Sequence, residues 1–319
     1  LTGDILGNRP HVRRRVEAGM EVVVKNHRGG GERARRGLFV EAALQSAAAA
    51  CYPAEANAPV AAPLSCTSDC LTTTFYAERT LDALLDSPGT LNVAAAAAGR
   101  AVGELHGQDV SGDEWAWLPK VAGEHPPLDP IPAGSLGELS AGTVDLAARI
   151  HHLGFGALLA DTLNAVEDRQ VFLHGDLKFD NILATADGTV VRLIDWECAG
   201  RGMPERDLGA LAGSLLTETI RRATVREAGG EARELLERVD EGTQKAWSAI
   251  AGFLTAYRTV SSAPGLDSRR MVHMTAYALL CRALSYTQTT YEFDRLPKLL
   301  VRVASNMAAQ PHTFVGRFT

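Results

Sequence analysis

Lysine is the scarce residue of this chain. Of 32 basic residues only Lys25, Lys120, Lys178, Lys245 and Lys298 are lysines, and all the others are arginines. A planar guanidinium does not replace a compact ammonium, so a lysine inside a motif is here an uncommon choice. Cysteine is sparse as well. Cys51, Cys66, Cys70, Cys198 and Cys281 are an odd number without framework spacing, which excludes a disulfide-stapled scaffold and reads as reduced thiols. Cys66 and Cys70 find no second Cys or His pair to complete a metal site. No apolar stretch approaches the roughly 18 residues of a membrane span, and the alanine run at Val93–Ala98 belongs to an amphipathic helix. There is no basic excess: the formal charge of −6 argues against a nucleic-acid partner. Neither an internal repeat nor a secretory signal pattern is visible, although the chain opens on Leu1 rather than Met; the expectation is a cytoplasmic protein.

What is present is ordinary globular material. Hydrophobic residues at 46% and charged residues at 22% suit a chain of 319 residues folded in two lobes. Residues 1–80 alternate short β-like runs with one helix: Val12–Val16 and Glu21–Lys25 bracket a turn at Glu17-Ala18-Gly19, Leu38–Ala50 is apolar at helical spacing, and Val60–Cys66 and Cys70–Tyr76 read as two strands. Helices follow at Thr90–His106 and, as one long element, Gly142–Val166, with a proline-rich loop between them. A polar hairpin-like insert occupies 172–195, and beyond Asp207 the chain reads as helices near Leu208–Ala228, Ala232–Thr259, Ser268–Tyr291 and Leu296–Ala309. The expected fold class is α+β, with a β-rich N-terminal lobe over 1–78, its first strand truncated, and a larger mainly helical C-terminal lobe over 79–319.

The chemistry concentrates in the insert. Leu173-His174-Gly175-Asp176-Leu177-Lys178-Phe179-Asp180-Asn181-Ile182-Leu183 places Asp176 and Asn181 in a loop flanked by apolar residues. Fourteen residues past Asn181, the apolar strand Leu193-Ile194 delivers Asp195 ahead of Trp196-Glu197. Three oxygen-bearing side chains thus converge at the mouth of one hairpin. Phosphoryl transfer asks for positioned Mg²⁺, a held triphosphate and an oriented acceptor. Mg²⁺ prefers hard oxygen ligands. Asn181 and Asp195 suit that role, which leaves Asp176 to accept a hydroxyl proton.

The pattern His-x-Asp-x₄-Asn followed by Ile-Asp-Trp resembles the catalytic loop and metal-binding strand of the aminoglycoside phosphotransferase and choline kinase family, relatives of the protein kinases. Gly200-x-Gly202-x-Pro204-x-x-Asp207-Leu208 resembles the family's usual continuation, in which the Asp opens a helix and supports the catalytic loop. The resemblance implies a protein-kinase-like fold, ATP with Mg²⁺ as cofactors (GTP stays open), Asp176 as base, and Asn181 and Asp195 as metal ligands. It also implies that Lys25, ending the strand Val22–Lys25, holds the α/β-phosphates and is itself held by Glu41, with Glu32 as a competing acid. Lys178, two residues past the base, would reach the transferring phosphoryl group, as the matching lysine does in Ser/Thr protein kinases. The phosphate-covering loop is expected at Gly3–Asn8, with the amides of Leu6–Arg9 on the phosphates. Gly29-Gly30-Gly31 follows Lys25 and reads as a plain flexible loop. The crossing at Phe75–Glu78 resembles the connector whose backbone holds adenine.

The acceptor stays open. Residues 246–319 hold three acids (Asp267, Glu292, Asp294) against eight bases, a balance that disfavours a polycation and suits a neutral or acidic acceptor. A hydroxyl-bearing small molecule such as an antibiotic, sugar or amino alcohol is the first expectation. Two alternatives stand beside it: Ser/Thr in a biosynthetic precursor peptide, with a lyase as partner modifying enzyme, and a nucleotide-binding subunit without catalysis. The last makes poor use of Lys25, Asp176, Asn181 and Asp195 together.

Overall fold

The computed structural model describes residues 4–6, 9–26, 32–53, 55, 57–121, 128–129, 131, 133–163, 170–225, 232–261 and 265–319. Near the N-terminus β1 (Asp4–Leu6), β2 (Arg9–Glu17) and β3 (Met20–Asn26) form an antiparallel meander, joined by β4 (Ser65–Cys66) and β5 (Cys70–Thr74) in the strand order β1-β2-β3-β5-β4. The β2–β3 turn is two residues long, with Ala18 at φ 49° and Gly19 at φ 81°. Positive φ at both central positions matches the twist of the flanking strands. β3 lies inside the sheet, so Lys25 is paired on both sides, opposite Val12 and opposite Leu71. Strand alternation then sorts its side chains: Val22 and Val24 are buried on one face, and Val23 and Lys25 share the other.

The single helix among the described residues of this lobe, α1 (Glu32–Ala50), buries Leu38, Glu41, Leu44 and Ala48 at the three- and four-residue spacing of one helix face. An acid inside an otherwise apolar stripe needs a partner, and Lys25 supplies it, as described below.

The larger part is mostly helical: α2 (Pro88–His106), α3 (Ala141–His152), α4 (Phe155–Leu163), α5 (Pro204–Val225), α6 (Ala232–Val260), α7 (Ser268–Thr290) and α8 (Arg295–Ala309). The alanines of α2 let its backbone lie close along α6. Ala94, Ala98 and Ala101 are fully buried, and a Cβ added at Gly99 would stand 2.2 Å from the carbonyl oxygen of Phe253. Asp267 and Asp294 cap α7 and α8 by accepting from backbone amides of their first turns. Among the described residues no helix is long and apolar enough to cross a membrane.

Five short strands position the loops of interest. β6 (Arg79–Thr80), β8 (Ile182–Ala184) and β9 (Val191–Leu193) form one sheet, and β7 (Val171–Leu173) pairs antiparallel with β10 (Gly200–Gly202). This corrects the expectation of a single hairpin over 172–195. β8 and β9 do form a hairpin, but β7 takes a partner that the sequence reading left in a loop. Segment Val60–Leu64 is irregular rather than a strand, since Pro59 and Pro63 withhold ladder donors. The expected long helix at Gly142–Val166 is two helices, broken where Leu153 ends α3 and Gly154 turns at φ 69°. α1 begins at Glu32, earlier than its apolar spacing suggested.

Gly99→Ala should destabilise the protein by about 1–3 kcal/mol through overpacking of α2 on α6. Gly89→Ala, in the same helix with open space around the added methyl, should be neutral or stabilise by up to about 1 kcal/mol. Denaturant unfolding of both variants checks the difference.

Candidate active site

The loop after β7 is organised around one buried carboxylate. Asp207, in the first turn of α5, accepts from the backbone N–H of His174 at 2.7 Å and of Gly175 at 2.9 Å, and its Oδ2 also meets His106 Nε2 at 3.2 Å. His106 closes α2 and is backed in turn by the Tyr257 hydroxyl of α6, 3.1 Å from its Nδ1. Burial by itself would push the Asp207 carboxyl up, but the hydrogen bond and charge of His106, together with His174, hold it below the usual carboxylate range. Gly175 adopts φ 80°, and a Cβ there would overlap the Cys198 carbonyl oxygen at 1.9 Å. The His174 ring is buried under Trp196, with centroids 4.6 Å apart, and its Nε2 bonds the Ile194 carbonyl at 2.9 Å. The two chain segments that carry the candidate residues are thereby clamped to each other.

Asp176, Lys178 and Asn181 then fall together. Lys178 Nζ donates to Asp176 Oδ2 at 2.5 Å. Asn181 Nδ2 donates to the Asp176 backbone carbonyl at 2.9 Å and to its Oδ2 at 3.1 Å. The amide oxygen of Asn181 is left for another partner. Behind them, the Phe179 amide is anchored to the Ser214 hydroxyl of α5 at 3.0 Å.

Past β9, Asp195 takes φ 69°, a left-handed conformation costing a non-glycine residue roughly 1–2 kcal/mol. The strain is held by the buried Trp196, whose indole N–H bonds the Leu193 carbonyl, and it turns the Asp195 carboxylate toward the N-terminal sheet. There Lys25 Nζ reaches Asp195 at 3.0 Å, Glu41 at 2.8 Å and Glu197 at 2.9 Å. Burial works to lower the Lys25 pKa, but the charges of Glu41 and Asp195 outweigh it and hold the ammonium above its ordinary value. One cation, 170 positions away in sequence from Asp195, thus ties β3, α1 and the segment after β9 together.

Lys25, Glu41, Asn181 and Asp195 line one cavity of about 520 Å³ between the sheet and the helical part. Its apolar walls include Val23, Leu71, Leu183 and Leu193, and the connector Phe75–Glu78 forms its edge. Buried Arg192 steadies that connector. It lies over the Tyr76 ring at 4.9 Å and faces Glu78 at 3.7 Å, while it donates to the Ala58 carbonyl. Lys25 meets Glu41, the helix acid the sequence reading set beside it, while the side chain of Glu32 lies outside the described residues. Of the expected phosphate-covering loop, Asp4–Leu6 is a strand on β2, whereas Gly3, Gly7 and Asn8 lie outside the described residues, as do Gly29-Gly30-Gly31 and much of the proline-rich loop. Sequence reasoning gave no role to Glu197, although it quoted the residue beside Trp196. It missed His106 and Tyr257 altogether, because no local pattern marks a histidine at a helix end as the partner of an acid 101 residues on.

Since the folded-state pKa of Asp207 lies below its unfolded value, the ionised carboxylate contributes stability above the unfolded pKa of about 3.9 and loses it as pH falls through the folded one. Asp207→Asn should therefore cost on the order of 3 kcal/mol at pH 7. Denaturant titrations between pH 7 and pH 3 should show the gap to wild type narrowing with acidification.

Residues 6–253 match the model of the phosphotransferase enzyme family. No curated protein matches the sequence significantly. Among solved structures, the chain resembles a spectinomycin phosphotransferase in complex with ADP and spectinomycin, at 13% identity and a TM-score of 0.54, covering 95% of this chain and 91% of that one. It also resembles a choline/ethanolamine kinase family protein from Mesorhizobium loti, at 16% identity, a TM-score of 0.51 and coverage of 99% and 90%. A Plasmodium vivax ethanolamine kinase matches at 10% identity, a TM-score of 0.52 and coverage of 96% and 83%. At these identities the likeness is one of fold, and the fold is protein-kinase-like. With the family's model matched over most of its length and the site clamped as described, this chain belongs to the phosphotransferase enzyme family.

Proposed function

We propose that the protein transfers the γ-phosphoryl group of ATP, with Mg²⁺, to a hydroxyl of a small molecule. The observation that carries this reading is the meeting of Lys25, Glu41 and Asp195 on one cavity whose floor also holds Asn181. Such an arrangement supplies a fixed positive charge for phosphates beside hard oxygen donors for a cation.

In this reading Lys25 holds the α/β-phosphates, and Glu41 keeps its ammonium aimed. The Asn181 amide oxygen, which accepts no hydrogen bond from any described residue, and the Asp195 carboxylate are hard donors on the same cavity, so the residues fit Mg²⁺. When bound, Mg²⁺ would neutralise charge on the phosphate oxygens. Asp176, half-buried beside Lys178 and Asn181, takes the hydroxyl proton. Lys178, bonded to Asp176, adds positive charge where the phosphoryl group passes. Before nucleotide arrives, Glu197 and Asp195 occupy the Lys25 ammonium, so phosphate binding must exchange these contacts. The connector at Phe75–Glu78 borders the apolar end of the cavity and suits a nucleobase.

The family match and the fold likeness support the phosphotransferase part of this reading. A second reading has one observation in its favour. The Lys178–Asp176 pair places an ammonium beside the proposed base, the feature expected for a Ser/Thr acceptor in a precursor peptide, in which case a partner lyase would act on the phosphorylated product. A second cavity of about 300 Å³ against Phe179 and Asp180 suits the small molecule better.

Purified wild type should phosphorylate a member of a hydroxylated small-molecule panel in Mg-ATP. Asp176→Asn should lower kcat by about 10²–10⁴-fold with nucleotide binding retained. Nucleotide binding without phosphorylated product from small molecules or Ser/Thr peptides would overturn the catalytic reading, and product from peptides alone would replace the acceptor class. Lys25→Met should weaken nucleotide binding, and adding Glu41→Gln should change it by less than about threefold, because both residues act through one ammonium. Calorimetric titration with Mg-ADP checks this.

A further inference from the structure

Resting on the phosphotransferase reading, a second cavity specifies the acceptor further. About 300 Å³ in volume, it lies against Phe179 and Asp180, between α5, α7 and α8. Asp180 lines the nucleotide cavity as well, so one residue borders both spaces. Hydroxyl groups dominate the polar lining, chiefly from α7.

The charges of this cavity are unequally committed. Glu218 is held by Arg221 at 2.6 and 2.7 Å and by Arg222 at 2.9 Å. Although burial opposes it, the hydrogen bonds from these two guanidiniums keep its carboxyl below the usual range. A ligand ammonium arriving there would have to compete with two arginines already in place. Asp82 accepts from the Thr80 hydroxyl, and Asp180 stands at the border with the nucleotide cavity. Arg282 is the exception among the basic groups. It lies on α7, half-buried, and makes no ion pair or hydrogen bond with any described residue. A partly desolvated guanidinium without a counter-charge is unfavourable by itself and is relieved by an anion, which its planar fork binds in bidentate fashion.

We infer that the acceptor is a small hydroxylated acid, whose carboxylate or phosphate ester pairs with Arg282 while its hydroxyl is presented at Asp176. The acceptor oxygen bonds the γ-phosphorus as the bond from that phosphorus to the β,γ-bridging oxygen breaks. ADP departs with the electron pair, and the hydroxyl proton passes to the Asp176 carboxylate and on to solvent. A cationic acceptor gains little from Glu218, which Arg221 and Arg222 already neutralise.

The test compares wild type with Arg282→Met and Arg282→Lys in Mg-ATP. The panel holds hydroxy acids (glycerate, gluconate, homoserine), glucose 6-phosphate, and the cations choline, ethanolamine and kanamycin. Turnover is expected with acids only. Arg282→Met should raise KM for them by about 10–100-fold with kcat little changed, and Arg282→Lys should recover part of the loss. Equal or better turnover of the cations, or a KM for the acids that ignores Arg282→Met, overturns the proposal. A measurement independent of turnover is the rate of phenylglyoxal modification at Arg282, resolved by peptide mass mapping. Gluconate or glucose 6-phosphate should slow it and choline should not; no protection by any acid also overturns the proposal. Protection by the acids together with no phosphorylated product would support the anion site while counting against phosphotransfer.

Discussion

The loop that carries Asp176, Lys178 and Asn181 depends on the buried charge of Asp207. Its two oxygens receive the amides of His174 and Gly175 and meet the imidazole of His106. A carboxylate removed from water costs several kcal/mol unless hydrogen bonds replace its hydration, and here they come from the loop itself. The loop is therefore held in the shape that best solvates Asp207. Gly175 meets the resulting demand for a positive φ, and the Cys198 carbonyl fills the space that a side chain would need. From this point Asp176, Lys178 and Asn181 inherit their relative placement, since they follow within six residues of the amides that are fixed.

A second cation–carboxylate contact joins the two parts of the molecule. Lys25 comes from the middle of a sheet, Glu41 from a helix stripe that is otherwise apolar, and Asp195 from a strained position after β9. Each feature is unfavourable by itself: a buried acid, a desolvated ammonium and a left-handed aspartate. With the Lys25 ammonium within 3.0 Å of both carboxylates they compensate. Local irregularities that persist only because a tertiary contact balances them are expected where a protein does chemistry. The cavity between the lobes is where they meet.

Much of the site was legible in the sequence because it is local. Asp176, Lys178 and Asn181 lie in one loop bracketed by apolar residues, and Asp195 follows a short hairpin later, so spacing along the chain approximates spacing in the fold. Lys25 and Glu41 were legible only through the family resemblance. Nothing in Val22–Lys25 distinguishes a phosphate-facing strand end from a solvated one. The β-pairing of the insert was misread because β7 finds its partner across 27 residues, at Gly200–Gly202, and glycines carry no strand signal. The long helix at Gly142–Val166 was overextended because an amphipathic period survives a turn that keeps both helices facing the same core.

By itself the sequence determined the two-part α+β architecture and the clustering of Asp176, Lys178 and Asn181 in one polar loop, with Asp195 a short hairpin later. Periodicity, turn residues and short-range spacing encode these directly. Only the tertiary structure decided which acids meet which bases. It placed Glu197 on Lys25 and His106 and Tyr257 behind Asp207, and left Arg282 without an ion pair to any described residue beside the second cavity. Those pairings join residues up to 172 positions apart. They depend on how helices and strands pack, and packing geometry is a property of the whole chain that no local pattern contains.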